Sequence, residues 1–212
     1  MEGVKFLNNQ EEERKALLNM LVKCGIIEVN YSEINLLHLY KMNLNEILSY
    51  IFAHKLQKEL TKGPYFEYVY VKGNISFRHS KYKLLVNEKK NTGVFQLKPD
   101  IVIAKCGIES IIIDTKWKSI SSLYNRHGVK REDLYQMYAY LTRYPNVETV
   151  VLLYPYNDRV DNHNECLESW VLEHDRNKKI KVYSVNLENE KLTIKSLRNI
   201  IKDININSKI YK

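Results

Sequence analysis

Apolar positions along this chain recur with two different spacings, and each spacing predicts a different kind of element. Residues 11–24, 44–61 and 131–144 carry apolar side chains three and four positions apart, as one face of a helix requires. Asn43 or Asn45 stands at the start of the second segment, where a short polar side chain caps a helix. The pattern therefore predicts three helices.

Other stretches alternate between apolar and polar residues or are apolar throughout, which predicts strands. They are residues 65–77, 82–87, 94–105, 109–120, 149–155, 166–172 and 179–186. The stretch 149–155, TVVLLYP, is apolar enough for a central strand that is buried on both faces. The short gap between 94–105 and 109–120 suits a hairpin, and residues 192–204 read as a last strand and helix.

The order of these elements indicates the fold class. A helix precedes three or more antiparallel strands, and a second helix and a further strand follow, which is not a regular βαβ repeat. We therefore expect an α/β fold with a mixed sheet, an αβββαβ core and flanking helices. Residues 1–42 are expected to form a small helical N-terminal extension, and residues 43–212 the main domain.

Composition narrows the class of protein only a little. The formal net charge of +8 favours a polyanionic partner such as nucleic acid. No apolar run reaches the roughly 20 residues of a membrane span, and the N-terminus lacks the apolar segment of a signal peptide. The three cysteines are far apart, without the spacing typical of zinc sites. We expect a reduced cytoplasmic protein with no membrane contact.

Candidate chemistry lies in residues 111–118, IIIDTKWK, where three isoleucines lead directly to charged residues. Side chains two positions apart in a strand share a face, so Asp114 and Lys116 project together, while Trp117 projects to the other side, into the core. The preceding strand carries Asp100 after a proline, which suits a strand entry. If the two strands pair as a hairpin, Asp100 and Asp114 share one site.

Two carboxylates and an ammonium group at one end of a sheet suit the hydrolysis of phosphodiesters. Carboxylates hold Mg²⁺, a hard ion that prefers oxygen ligands, and a bound metal acidifies water and offsets phosphoryl charge. The alternative is that Asp-x-Lys forms a surface ion pair, worth less than about 1 kcal/mol. The apolar triplet before Asp114 favours the functional interpretation, because charged residues are seldom buried without a partner or a function.

The segments LKPDIVI and IIIDTKWK together resemble the active-site motif of the PD-(D/E)xK nuclease superfamily. The segment after them, REDLYQMYAYLTRYPNVETVVLLYP, closely resembles the corresponding part of the McrC family, the nuclease subunit of McrBC-type restriction systems. The resemblance covers about residues 95–155. It implies a restriction-endonuclease-like fold, with residues 43–212 as the nuclease domain, and a Mg²⁺-dependent DNA endonuclease in which Mn²⁺ would substitute.

The resemblance also implies roles for individual residues. Asp100 and Asp114 would hold the metal, together with the backbone carbonyl of Thr115. Lys116 would be the catalytic lysine. Gln136 would face the site and contact the lysine, a water or a phosphate.

Two further residues have both a functional and a structural interpretation. Tyr140 follows Gln136 by one helical turn and would contact DNA, or it packs in the core. Glu46 is the candidate for the upstream helical acid that often completes such sites, or it only complements the positive end of the helix dipole. Glu33 and Glu59 are weaker candidates for the same role.

A basic segment between the motif strand and the third helix would contact DNA phosphates, or it is an ordinary solvated loop. The residues expected to bind DNA here are Lys118, Arg126, Lys130 and Arg131. His127 lies in the same segment, but it is not needed as a base because the metal and the lysine supply one.

The family resemblance implies partners as well as a substrate. Double-stranded DNA would be cut, and a McrB-like GTPase or ATPase motor would supply recognition and translocation, because the chain carries no GxxxxGK[ST] loop of its own. Cutting both strands requires two active sites, so dimerisation or pairing of complexes is expected. Two alternatives stay open: a repair or recombination nuclease with the same core, and a DNA-binding scaffold without catalysis.

Overall fold

The structure is a computed structural model, and it describes residues 10–23, 42–60, 68–71, 82–105, 108–162 and 165–207. The helices are α1 (Gln10–Lys23), α2 (Leu44–Leu60), α3 (Arg131–Arg143) and α4 (Glu190–Asn207), with a 3₁₀ turn at Asn125–Gly128. The strands are β1 (Tyr68–Val71), β2 (Lys83–Asn87), β3 (Thr92–Gln96), β4 (Ile101–Lys105), β5 (Ile108–Thr115), β6 (Thr149–Pro155), β7 (Glu168–Val171) and β8 (Lys179–Val185). Among these segments, no helix combines the length and apolar content needed to cross a membrane.

Six strands form one mixed sheet in the order β1-β4-β5-β6-β8-β7. Strands β1, β4 and β5 are antiparallel neighbours, β5, β6 and β8 run parallel, and β7 returns antiparallel to β8. The hairpin predicted for the motif strand and the strand before it is the β4–β5 pair. Every residue of β6 is buried, as expected for an apolar central strand. The α/β mixed sheet and the three helices expected from the sequence are confirmed.

Helices cover both faces of this sheet and create two separate cores. Strand β5 is apolar because it lies between these two cores. Ile111 and Ile113 face the core formed with α1, α2 and α4, whereas Ile112 faces the core formed with α3. Leu17 of α1 belongs to the first of these cores. The domain boundary expected after residue 42 stays a prediction.

The prediction of one continuous strand over residues 94–105 is wrong. The segment divides into β3 and β4, with Leu97–Asp100 between them. Pro99 lies in this break, and a proline has no N–H to donate to a ladder. Strand β3 pairs with β2 in a separate two-stranded sheet, the β2–β3 hairpin, while β4 joins the main sheet.

Residues 192–204 contain only helix, so the strand predicted at their start is wrong. The Asn189 side chain accepts a hydrogen bond from the Leu192 N–H at 2.9 Å, which caps α4 earlier than expected. Buried residues then follow at helical spacing, namely Leu197, Ile200, Ile201 and Ile204. Capping and packing outweigh the strand-like alternation of the LTIK segment.

Candidate active site

The carboxyl end of β5 lies in the middle of the sheet, and the motif residues meet there. The first residue of β4, Ile101, pairs with Ile113 of β5. This register brings Asp100, one residue before β4, opposite Asp114. Strand β6 pairs with the other edge of β5, so the strand end is enclosed on both sides. Asp100 and Asp114 are accordingly only 5% and 2% exposed.

The Asp100 carboxylate is oriented by Thr115. Its Oδ2 accepts hydrogen bonds from Thr115 N at 2.9 Å and from Thr115 Oγ1 at 3.1 Å. The Thr115 hydroxyl also lies 2.7 Å from Ser49 Oγ on α2. Thr115 is 1% exposed and Ser49 is fully buried. Hydrogen bonds to a charged acceptor in so buried a setting hold this carboxylate in one orientation.

Lys116 approaches the same strand end from the α3 side. Its Nζ lies 2.5 Å from Asp114 Oδ2 and donates a 2.8 Å hydrogen bond to Gln136 Oε1. Asp133 Oδ1 is 3.7 Å away. Burial alone would lower the pKa of Lys116, but the carboxylates of Asp114 and Asp133 outweigh it, and the pKa is raised. The side chain is therefore an ammonium group at neutral pH.

Tyr140 connects Gln136 to Asp114 on one face of α3. Gln136 Nε2 donates to the Tyr140 hydroxyl at 2.9 Å, and that hydroxyl donates to Asp114 Oδ1 at 3.4 Å. Burial raises the pKa of Tyr140, and the charges of Asp114 and Asp100 raise it further, so the phenol stays protonated. Tyr140 is 1% exposed. It is both a core residue and a contact of Asp114, and its contact with DNA stays a prediction.

Asp133 is a residue of this site that sequence reasoning missed. Its carboxylate accepts hydrogen bonds from Lys118 Nζ at 2.9 and 3.0 Å and from the Tyr154 hydroxyl at 3.4 Å. Asp133 precedes Gln136 by three positions and Tyr140 by seven, so the three side chains lie on one helix face. This spacing in the sequence could have identified Asp133 as a residue of the site.

Asn45 and Ser49 of α2 were missed as well. Asn45 Oδ1 accepts a hydrogen bond from Trp117 N at 2.5 Å, and the Asn45 carbonyl accepts hydrogen bonds from Thr115 Oγ1 at 3.1 Å and Ser49 Oγ at 2.6 Å. Helix α2 thereby holds the residues on both sides of Lys116. The Trp117 side chain packs against the core under α2, as expected. No local pattern points to Asn45, because its role depends on how α2 docks.

Glu46 forms a capping box at the start of α2. Its carboxylate accepts a hydrogen bond from the Asn43 N–H at 3.0 Å, and the Asn43 side chain accepts one from the Glu46 N–H at 3.0 Å. Glu46 adjoins Asn45, which contacts the motif strand directly. Its catalytic role stays a prediction. Glu33 and the side chain of Glu59 lie outside the described residues.

Two substitutions separate the capping role of Glu46 from a catalytic one. Glu46→Gln keeps an acceptor that capping boxes use, so we expect the free energy of unfolding to change by less than about 0.5 kcal/mol. Asn43→Ala removes the N-cap and should cost about 1 kcal/mol. If Glu46 is catalytic, DNA cleavage falls at least about tenfold in Glu46→Gln but not in Asn43→Ala. Denaturant unfolding and cleavage rates are measured on both variants. Equal cleavage by both variants would show that Glu46 only caps the helix.

The basic segment after β5 is an ordered turn beside α3. Lys118 is half-buried and bound to Asp133. The exposed cations are Arg126, Lys130 and Arg131. His127 Nδ1 lies 2.8 Å from Glu168 Oε1, which ties the turn to β7. DNA binding by these cations stays a prediction.

The donor atoms at the end of β5 fit a hard divalent cation. Asp100 and Asp114 supply carboxylates from neighbouring segments, and the Thr115 carbonyl as a further ligand stays a prediction. Mg²⁺ is usually bound through one or two carboxylates and keeps several waters. Across the described ranges, no three His, Cys, Asp or Glu side chains cluster as a complete metal cage.

Comparison with known proteins supports this architecture. Residues 4–79 and 73–155 match the model of a family described as McrBC 5-methylcytosine restriction system component. The fold is also similar to a chain in a solved assembly, a refined half-complex of Thermococcus gammatolerans McrB AAA+ hexamers with bound McrC, with a TM-score of 0.51 and 16% identity. That match covers 92% of this chain and 47% of the other, so this chain spans about half its length. Among curated proteins, none matches the chain.

Proposed function

Because this chain belongs to the family of McrBC 5-methylcytosine restriction system components, we propose that it is the DNA-cleaving subunit of such a system. It would act as a Mg²⁺-dependent endonuclease that hydrolyses phosphodiester bonds in double-stranded DNA. The observation that carries this proposal is the meeting of Asp100, Asp114 and Lys116 at one buried strand end. Buried ion pairs add little to stability on their own, whereas perturbed charged groups concentrate at functional sites.

Asp100 and Asp114 would hold the ion, with the Thr115 carbonyl as a further ligand and Mn²⁺ as a substitute for Mg²⁺. When bound, the ion would lower the pKa of a coordinated water and offset charge on the phosphoryl oxygens. Thr115 supports this role of Asp100, because its N–H and hydroxyl orient the carboxylate through Oδ2. Partners of this kind tune how well a ligand binds a metal.

Lys116 and Gln136 would act on the scissile phosphate. Lys116 would share Asp114 with the ion, and its hold on that carboxylate would then be weaker. Gln136 still accepts one of its N–H groups and keeps it near the strand end. The ammonium then offsets the charge that develops on the phosphate or orients the attacking water. Gln136 and Tyr140 are positioning residues in this scheme.

Selection and movement of DNA would come from a partner. The solved assembly with a similar fold contains McrB AAA+ hexamers with bound McrC. We propose by analogy that a McrB-type GTPase or ATPase delivers DNA to this chain, and that two copies of the site act together on the two strands. Family membership favours neither a repair nuclease nor a DNA-binding scaffold without catalysis.

Plasmid cleavage tests the proposed function. Supercoiled DNA incubated with the protein and Mg²⁺ or Mn²⁺ should be nicked or linearised, and EDTA should stop the reaction. A McrB-type partner with GTP or ATP should increase the rate. Cleavage that persists in EDTA would contradict the metal assignment. No cleavage with any metal, with or without the partner, would favour the scaffold.

A further inference from the structure

The β2–β3 hairpin exposes apolar side chains on a ribbon outside the main sheet. Leu84, Leu85, Val86 and Phe95 are 39%, 55%, 61% and 69% exposed. In the described part of the chain, β2 and β3 form a sheet of two strands, with Leu85 opposite Val94. A two-stranded ribbon is only marginally stable alone, and exposed apolar patches mark interaction sites. The ribbon therefore has the character of a binding element.

The base of the hairpin is fixed to α3, the helix that carries Asp133, Gln136 and Tyr140 of the candidate site. Arg143 Nε, at the end of α3, donates a 2.9 Å hydrogen bond to the Lys83 carbonyl. The Tyr82 ring packs edge-on against Tyr144, with centroids 4.5 Å apart. Strand β3 then leads within four residues to Asp100. The Tyr82 hydroxyl also lies 3.5 Å from Glu109 Oε2, near the start of β5, so both ends of the ribbon are anchored on the same sheet that carries the candidate site.

Positively charged side chains flank the apolar side chains of the ribbon. Residues 83–98 contain four lysines and one glutamate. Lys89 and Lys90 in the turn and Lys98 at the base are exposed. Lysine is depleted from protein–protein interfaces, whereas lysine contacts with phosphates supply much of the affinity for DNA. This combination favours a nucleic-acid duplex over a second copy of the chain or another protein.

We propose that the β2–β3 hairpin is a DNA-binding arm that lies in a groove of the duplex, away from the bond to be cut. A two-stranded ribbon fits the major groove of B-DNA, where apolar side chains contact thymine methyl groups. Lys89 and Lys90 would contact phosphates, and Leu84 and Val86, two positions apart on one face of β2, would contact base edges. The inference rests on the proposed function, because it assigns a substrate contact to that nuclease.

Fluorescence anisotropy of a labelled duplex of about 30 base pairs tests whether the hairpin binds DNA. The measurement is made in EDTA, so that no cleavage occurs. The double variant Lys89→Ala, Lys90→Ala should weaken binding about tenfold and reduce the slope of log Kd against log salt by about 1.8, since each lost phosphate contact removes about 0.9. The variant Leu84→Ser, Val86→Ser should weaken binding while the salt slope stays unchanged. The matched control, Lys191→Ala with Lys195→Ala on exposed positions of α4, should bind like the wild type.

Each other outcome has a distinct meaning. If the wild type and both hairpin variants bind the duplex with equal affinity, the hairpin is not a DNA-binding arm. The same conclusion follows if the wild type does not bind the duplex. If the hairpin variants lose self-association in sedimentation while their DNA affinity is unchanged, the ribbon is a contact between copies of the chain. That result also contradicts the proposed DNA-binding arm. Failure of the proposed function has a separate signature, in which the wild type binds the duplex through the hairpin but never cleaves it.

Discussion

Replacement of Asp114 with asparagine should slow DNA cleavage at least about a thousandfold, equivalent to about 4 kcal/mol of lost transition-state stabilisation. Asparagine preserves the size of the side chain and can still accept a hydrogen bond from Tyr140. It lacks the negative charge with which the paired carboxylates would hold a divalent cation. Lys116 keeps Gln136 and Asp133 as neighbours, so the variant should fold. Plasmid cleavage and calorimetric titration with Mn²⁺ measure the two effects.

The matched control for Asp114→Asn is Glu148→Gln. Glu148 is exposed and precedes β6 at the opposite end of the parallel strands, so the same loss of charge there should leave cleavage and Mn²⁺ binding unchanged. Circular dichroism and the unfolding midpoint show whether both variants are folded. A folded Asp114→Asn protein that cleaves at the wild-type rate would show that the end of β5 is not the site of DNA cleavage.

Lys116→Met should have opposite effects on metal binding and on cleavage. Lys116 Nζ lies 2.5 Å from Asp114 Oδ2, where its positive charge opposes a cation on the same carboxylate. Removing the charge should tighten Mn²⁺ binding by about threefold to tenfold. Cleavage should nevertheless fall about a hundredfold or more, because the developing charge on the phosphate loses its ammonium. Titration calorimetry and single-turnover cleavage measure the two quantities.

Lys195→Met serves as the control, because Lys195 is exposed on α4 and carries the same charge. It should change neither quantity. A Lys116→Met protein that binds Mn²⁺ more weakly would show that the lysine supports the metal site rather than competing with it. Unchanged cleavage would mean that Lys116 has no part in the reaction.

The residues placed correctly by sequence reasoning depend on local geometry. Asp114 and Lys116 share the α3 side of β5 because alternation is a property of the strand itself. Asp100 lies opposite Asp114 because a register shift between Ile103 and Ala104 adds to the short connection; the pairing of Lys105 with Ile108 alone would place Ile113 there. The first relation holds whatever the rest of the chain does.

The missed features depend on contacts between distant segments. Asn45 reaches the motif strand only because α2 packs across the sheet end, and neither its position in α2 nor its neighbours indicate this. The alternation of 94–105 continues through Pro99, so it concealed the change from the β2–β3 hairpin to the main sheet. Strand-like alternation in the LTIK segment gave way to the Asn189 cap and to packing of α4.

The contacts around Thr115 also differ in how far apart their partners lie along the chain. Asp100 and Thr115 are separated by 15 residues and Lys116 and Gln136 by 20, whereas Ser49 and Thr115 are separated by 66. Loop-closure entropy rises by about 0.6 kcal/mol for each doubling of loop length, so the α2 contact starts with a disadvantage of about 1 kcal/mol. The two carboxylates can therefore come together with the β4–β5 hairpin early in folding, before α2 covers them. A divalent ion that binds Asp100 and Asp114 as proposed would meet both carboxylates at that stage and favour the productive pairing of the strands.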